Sequence, residues 1–127
     1  MTPEQKIKKE IVLRAIQDNN LQFEGNVNAN NVESLYQNLV DEDLHWDYKN
    51  EIRQGQYETG LPPEYSRHYE SKSVAMKMSD GTWLGWTYWF GGGKFGEPEA
   101  IEWMNTAYLL NYKEEEKIVI VRTFEKK

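Results

Sequence analysis

A short glycine-rich stretch is the first candidate for chemistry in this sequence. It consists of three consecutive glycines and a lysine: Gly91, Gly92, Gly93 and Lys94. Backbone amides of such a turn can form an anion-binding concavity, and the lysine would add positive charge. The stretch lacks the spacing of a P-loop and has no Ser or Thr after the lysine. Because Glu97 and Glu99 follow and would repel an anion, a flexible loop that ends a strand is the competing interpretation.

Titratable side chains are the second candidate. Four carboxylates in this part of the chain offer acid–base chemistry or a site for a hard metal ion: Asp80, Glu97, Glu99 and Glu102. Nothing in the sequence fixes the separation between them. His45 and His68 could serve as general bases or metal ligands, but no nucleophile pattern or metal-binding motif accompanies them. We therefore predict no catalytic residue, no metal site and no cofactor, and we do not predict an enzyme.

The run from Thr82 to Phe90 is the most distinctive part of the chain, because it holds three of the five tryptophans. Its aromatic and β-branched residues favour a strand. Strand alternation places Trp83 and Trp89 on one face, while Trp86 lies on the other. A strand that is apolar on both faces is either covered on both sides or presents aromatic rings to a ligand or partner.

The predicted binding surface combines two of these tryptophans with the glycine loop and with a basic pair that precedes the sheet. Exposed aromatic rings supply stacking area, and they are enriched at the hot spots of protein interfaces. The candidate binding residues are Arg67, His68, Trp83, Trp89, Gly91, Gly92, Gly93, Lys94 and Phe95.

Two amphipathic helices are predicted before the sheet. The first begins with a capping box formed by Thr2 and Gln5. Its apolar residues recur at helical spacing: Ile7, Ile11, Val12, Ala15 and Ile16. The second helix begins at Asn30 or Asn31 and ends at the acidic residues 41–43.

A four-stranded antiparallel sheet is predicted in the second half of the chain. The predicted strands span 72–78, 82–90, 106–112 and 117–124. Asp80 and Gly81 join the first two strands, because Asp-Gly suits a tight two-residue connection. A short helix begins at Gly96. The last strand alternates apolar residues on both faces, so we expect it to be covered on both sides.

These elements indicate a single α+β domain over residues 1–127. Two N-terminal helices pack on a four-stranded antiparallel meander with a short inserted helix. We divide the chain into a helical part at 1–43, a connector at 44–71 and a sheet at 72–124. The connector has no clear periodicity beyond one or two helical turns at 47–54. A stretch of this length either hides a short element or forms a functional loop.

Composition excludes several classes of protein. The 127 residues can bury roughly two-thirds of the surface of the unfolded chain. A net charge of −6, from 21 acids against 15 bases, argues against direct nucleic-acid binding. The lack of cysteine excludes disulfides and thiolate chemistry. No apolar run approaches the ~20 residues of a membrane span, and the polar N-terminus does not resemble a signal peptide. We expect a cytoplasmic protein without a membrane partner.

One segment carries a resemblance to a known group of proteins. Residues 81–99, GTWLGWTYWFGGGKFGEPE, together with Arg67-His68-Tyr69 and Trp103, resemble a segment of small uncharacterised acidic proteins found in bacteriophages and prophages. The resemblance covers the C-terminal half of the chain and leaves both helices unaccounted for. It implies a phage-type protein that acts in a bacterial cytoplasm, and it assigns no catalytic residue.

The residues and the resemblance together favour a non-catalytic binding protein that engages a host protein, such as a defence or regulatory factor. Two alternatives stay open. The first is a protein that binds or sequesters a nucleotide-like small molecule, with a base on tryptophan and phosphate at the glycine loop. The second is an enzyme that uses surface carboxylates or His68. The sequence does not predict the oligomeric state.

Overall fold

A computed structural model describes the backbone of residues 1–127 and every side chain except that of Phe95. The helices are α1 (Pro3–Asp18), α2 (Val32–Asp41) and α3 (Trp46–Arg53). The strands are β1 (Tyr57–Glu58), β2 (Glu70–Lys77), β3 (Trp83–Phe90) and β4 (Tyr108–Leu110). Three short 3₁₀ turns join β3 to β4: Gly93–Phe95, Pro98–Ala100 and Met104–Thr106. None of the described helices is long and apolar enough to cross a membrane.

The capping signals at the first helix are confirmed. The Gln5 backbone N–H donates to Thr2 Oγ1 at 3.2 Å, and the Thr2 N–H donates to Gln5 Oε1 at 3.0 Å. These two bonds satisfy donors that a helix N-terminus otherwise leaves unpaired. At α2, Asn31 precedes the first helical residue but makes no side-chain cap. Its Oδ1 instead accepts from the Asn28 N–H at 2.7 Å, which orders the loop before the helix.

The sheet confirms the α+β prediction. Its order is β1-β2-β3-β4, and every neighbouring pair is antiparallel. The turn of the β2–β3 hairpin is longer than the predicted two-residue connection. Lys77 pairs with Trp83, and the Met78 N–H donates to the Thr82 carbonyl oxygen, so three residues, 79–81, form the loop. Among the loop residues only Gly81 has a positive φ, +88°. A type I turn followed by a left-handed glycine explains this length.

The core lies between the helices and one face of the sheet, here called the inner face. Ile7 and Ile11 of α1 belong to the same buried cluster as Leu84 and Trp86 of β3. Trp86 is fully buried, and its indole N–H donates to the Arg53 carbonyl oxygen of α3 at 2.8 Å. This bond removes the penalty of a buried unpaired donor and fixes α3 against the sheet.

The predicted fourth strand at 117–124 is wrong, whereas the connector hides short elements, as one of its two interpretations allows. The connector at 44–71 contains α3 and β1, and β1 supplies the fourth strand by pairing Tyr57 with Ala75. A two-residue strand is too short to show alternation, which explains why the pattern hides it. Residues 117–124 form no strand, and they are exposed instead of covered on both faces. Their β-branched side chains favour a strand, but a strand also needs a neighbour.

The predicted third strand and inserted helix lie in the right part of the chain, but their extents differ from the prediction. The predicted third strand at 106–112 shortens to Tyr108–Leu110. The short helix that was predicted from Gly96 is replaced by the 3₁₀ turns between β3 and β4. The glycines and Pro98 in this stretch interrupt regular helical hydrogen bonding, so only single turns form.

Candidate binding groove

The outer face of the sheet, opposite the helices, carries the candidate site. Trp83 and Gly85 alternate with the buried inner-face residues of β3 and therefore point outward. Strand register brings further residues beside them on this face. Ala75 pairs with both Tyr57 and Gly85, and Gly85 also pairs with Tyr108. One end of the outer face is thus built from all four strands.

Three aromatic rings meet there. The rings of Trp83 and Tyr112 stack with centroids 4.4 Å apart and an interplanar angle of 18°. The Tyr57 ring lies 5.9 Å from Trp83 on the other side, tilted by 42°. Tyr57 is 64% exposed and Tyr112 is 54% exposed, while Trp83 is half-buried between them. Pairs at such distances attract beyond their buried area, so the rings hold one another in place.

A small residue, Ala75, lies in the lining of the site, and the neighbouring Gly85 is covered by side chains of β4. An added Cβ at Gly85 would lie 2.8 Å from the Tyr108 ring and 2.9 Å from Leu110 Cδ1. Glycine therefore lets these two side chains of β4 lie directly on the sheet. The result is a groove of about 400 Å³, here called the aromatic groove, lined by Tyr57, Glu58, Thr59, Leu61, Ala75, Trp83, Leu110, Asn111, Tyr112 and Lys113.

The hairpin turn beside the groove is anchored to α1. Lys6 Nζ lies 3.0 Å from the Asp80 carboxylate and donates to Thr82 Oγ1 at 3.1 Å. The hydroxyl and backbone N–H of Thr82 both donate to Asp80, at 2.6 and 3.0 Å. These Thr82 bonds, followed by the Lys6 charge, lower the pKa of Asp80 to about 2. The carboxylate is therefore part of the hairpin anchor, and its contacts hold the start of β3 in place.

The connector between β1 and β2 covers the other end of the outer face. The Glu64 backbone N–H donates to Thr87 Oγ1 at 3.1 Å, and Ser71 Oγ donates to the Glu64 carbonyl oxygen at 2.7 Å. Trp89 lies beyond this crossing and is only 6% exposed. Its indole nitrogen finds no hydrogen-bond partner among the described residues. Trp89 is thus a core residue, and its predicted place on the binding surface is wrong.

The glycine loop wraps around a tyrosine ring. Gly92 has a φ of +89°, and an added Cβ there would lie 2.6 Å from the Tyr69 ring. Gly96 meets the Tyr69 hydroxyl at 2.5 Å in the same way. Both close approach and a left-handed backbone therefore require glycine. The adjoining cleft contains side chains of both signs, Lys94 and Glu97, so its charge does not favour an anion.

The structure separates the predicted binding residues into two groups. Trp83 alone lies in the aromatic groove. The glycine loop begins after Phe90, at the opposite end of β3, roughly 25 Å away along an extended strand. Arg67 and His68 are exposed and precede β2, and the His68 carbonyl oxygen lies beside Gly92. The Phe95 side chain lies outside the described part of the structure.

Three groove residues escaped the sequence analysis. Tyr57 lies in a stretch without periodicity, although its place between Gly55 and Gly60 is compatible with a short strand between turns. Leu110 and Tyr112 were assigned to a strand without a functional role. Trp83 is the residue that indicates such neighbours, because an outward aromatic ring on a strand packs against side chains of the adjacent strands.

The other titratable candidates do not converge. Among the described residues, no three His, Asp or Glu side chains are placed to hold a metal ion. His45 is buried, and its ring contacts Tyr36 edge-on at 6.2 Å. Burial, assisted by the charge of Lys49, lowers the pKa of His45. Glu102 accepts a hydrogen bond from the Met104 backbone N–H at 3.2 Å.

The fold and the groove define an α+β protein with a single antiparallel sheet, helices on its inner face and exposed aromatic rings on its outer face. Comparison of the chain with family models, curated proteins and solved structures found no match.

Proposed function

We propose that this chain is a non-catalytic binding protein that engages another protein through the aromatic groove. The observation that carries the proposal is the cluster of the Tyr57, Trp83 and Tyr112 rings around a groove of about 400 Å³. Tyrosine and tryptophan offer large contact areas at a low entropic cost, and they dominate interface hot spots. Because Trp83 and Tyr112 already stack on each other, binding of a partner has less side-chain freedom to remove there.

The lining favours an extended apolar segment of a protein over a phosphorylated small molecule. Among the described side chains that line the groove, Lys113 is the single cation, and Glu115 pairs with it at 2.8 Å. A phosphate at this site would therefore meet little uncompensated positive charge. The nucleotide alternative also needs one ligand to reach both Trp83 and the glycine loop, which lie at opposite ends of β3.

The biological setting is part of the same proposal. The resemblance to phage and prophage proteins supports a host protein as the partner, with a defence or regulatory factor in the bacterial cytoplasm as the class to examine first. The net charge of −6 supports a partner that is basic around its contact surface, because opposite charges speed association.

The test is capture of partners from bacterial lysate on immobilised protein, with the wild type and Trp83→Ala in parallel. A protein recovered only by the wild type is then purified, and its dissociation constant is measured by calorimetry. We expect Tyr57→Ala and Tyr112→Ala each to weaken this binding at least about tenfold, as hot-spot aromatic residues do. Circular dichroism confirms that each variant is folded.

Tyr65 provides the matched control. It is 89% exposed and does not line the groove, so we expect Tyr65→Ala to bind within about twofold of the wild type. Equal losses at Tyr65 and Tyr57 would contradict the proposal, as would a set of partners that is independent of Trp83. A saturable tryptophan fluorescence response to a nucleotide, abolished by Trp83→Ala, would support the small-molecule alternative instead.

A further inference from the structure

The C-terminal arm (residues 111–127) begins in the aromatic groove, which residues 111–113 line, and its remainder is a second surface that the groove does not explain. It follows β4 and contains no helix, strand, turn or bend. Five large apolar side chains along it are 73% to 100% exposed: Ile118, Val119, Ile120, Val121 and Phe124. This run has high β-propensity and little internal charge, which is the composition of a strand that pairs with another chain.

The arm is directed away from its own sheet. To lie beside β4 of the same copy, it would need a hairpin turn between residues 111 and 116, and that stretch contains no turn or bend. Stacking of Tyr112 on Trp83 holds the first part of the arm in the direction of β4. An extended chain of this length can reach roughly 50 Å beyond the strand. The apolar run therefore needs a partner from outside its own sheet.

The charges of the arm are complementary to those of a second arm in the opposite direction. Acids precede the apolar run and bases follow it. Antiparallel pairing with Val121 opposite itself places Glu115 against Lys127, Glu116 against Lys126 and Lys117 against Glu125. The same register sets Ile118 against Phe124. Cross-strand pairs of opposite charge and of apolar residues both stabilise an antiparallel ribbon, and twofold symmetry makes each unlike pair occur twice.

We propose that two copies of this chain associate by antiparallel pairing of their C-terminal arms about Val121. The pairing covers one side of the exposed apolar run and satisfies the backbone groups of alternate residues between 115 and 127. It uses no residue that lines the aromatic groove. The one link between the two proposals is Glu115, whose partner Lys113 lines the groove, and the variants that test the pairing leave Glu115 unchanged. Because a two-stranded ribbon is only marginally stable in water, the dimer dissociates on dilution.

Charge exchange tests both the association and its register. Sedimentation velocity over a range of protein concentrations gives the dimer dissociation constant. We expect Glu116→Lys and Lys126→Glu each to weaken association about tenfold, because each change creates two like-charge contacts in the symmetric ribbon. The double variant restores the attraction with its sign reversed. Its dissociation constant should return to within about threefold of the wild-type value.

Two further proteins control for charge and for the arm itself. Glu24→Lys makes the same charge change at an exposed residue between α1 and α2 and should leave association unchanged. Deletion of residues 117–127 should leave a monomer whose circular dichroism retains the helical signal. A wild-type protein that stays monomeric throughout would overturn the proposal. A dimer that survives the deletion, or a double variant that is not restored, would do so equally.

Discussion

Trp83 and Trp89 lie on the same strand and the same face of the sheet, yet their environments are opposite. Trp83 is half-buried between two exposed tyrosines, while Trp89 is 6% exposed and its indole N–H has no hydrogen-bond partner among the described residues. Residue type and strand alternation are identical at the two positions. The difference lies in what surrounds each ring. Trp83 lines the aromatic groove, whereas Trp89 belongs to the buried hydrophobic cluster and lies beyond Thr87, which the connector contacts through Glu64.

The two ends of β3 therefore have different roles. At the Trp83 end, the two tyrosine rings that flank Trp83 remain more than half exposed. At the Trp89 end, glycines allow the loop after β3 to close on Tyr69. The first end is suited to binding and the second to stability. A substitution at each end should consequently change a different measured quantity.

The largest expected effect is on stability at the Trp89 end. Trp89→Ala should lower the free energy of unfolding by about 3–5 kcal/mol, because it removes a large buried side chain and leaves a cavity. Trp83→Ala should cost about 1 kcal/mol, since it mainly removes cross-strand ring contacts at a partly exposed site. Urea denaturation of the wild type and both variants measures the difference. Similar losses for the two variants would mean that the two ends are equally part of the core.

The sequence predicts the framework well, because local signals determine it. The capping box at Thr2 fixes the start of α1, and the Asp80-Gly81 pair marks the position of the hairpin, although its loop has three residues instead of the predicted two. The inward and outward residues of β3 follow from alternation alone. Each of these features depends on residues that are close together in the chain, so the pattern contains the necessary information.

The site is less predictable because distant segments decide which surfaces are covered. Tyr57 reaches Trp83 through two intervening strand pairings, and the connector that contacts Thr87, next to Trp89 on the same face, has no periodicity. The C-terminal arm is difficult to predict for the same reason. Its run from Ile118 to Val121 favours a strand, but the neighbour that a strand needs is not determined locally.

The glycine loop provides the second prediction. Gly92→Ala should lower the free energy of unfolding by about 2–4 kcal/mol, since it adds a steric clash with Tyr69 to the cost of a left-handed backbone. Gly93→Ala is the matched control, with a φ of +50° and no atom within 4 Å of the added Cβ. It should cost only the backbone term, about 1–2 kcal/mol.

Urea denaturation measures both glycine variants, and a second background isolates the clash. In a Tyr69→Ala protein, Gly92→Ala should cost about as much as Gly93→Ala, because the ring that it meets is absent. Equal costs in the native background would indicate that the loop shifts away from Tyr69 without penalty. The glycine loop at the Trp89 end of β3 would then tolerate an added side chain in spite of its close contact with Tyr69.

The smallest expected effect concerns the anchor at the Trp83 end, where acid should weaken the hairpin. The pKa of Asp80 is lowered from 3.8 to about 2 by its bonds with Thr82 and by Lys6. The unfolded chain therefore binds this proton at a higher pH than the folded protein does. The stabilisation is complete above about pH 4 and is lost as the pH falls toward 2. Because the side chain is 38% exposed, solvent screening limits the effect to about 1 kcal/mol or less.

The Asp80→Asn variant separates the pH-dependent stabilisation by Asp80 from the titration of other carboxylates. Asparagine can still accept from the Thr82 N–H, but it carries no charge for Lys6 and does not titrate. The difference in unfolding free energy between wild type and variant should be largest at pH 5 and should shrink at pH 2.5. A difference that is independent of pH would assign the anchor to hydrogen-bond geometry alone. The contacts that hold the Trp83 end of β3 would then be independent of pH, as are the packing contacts at the Trp89 end.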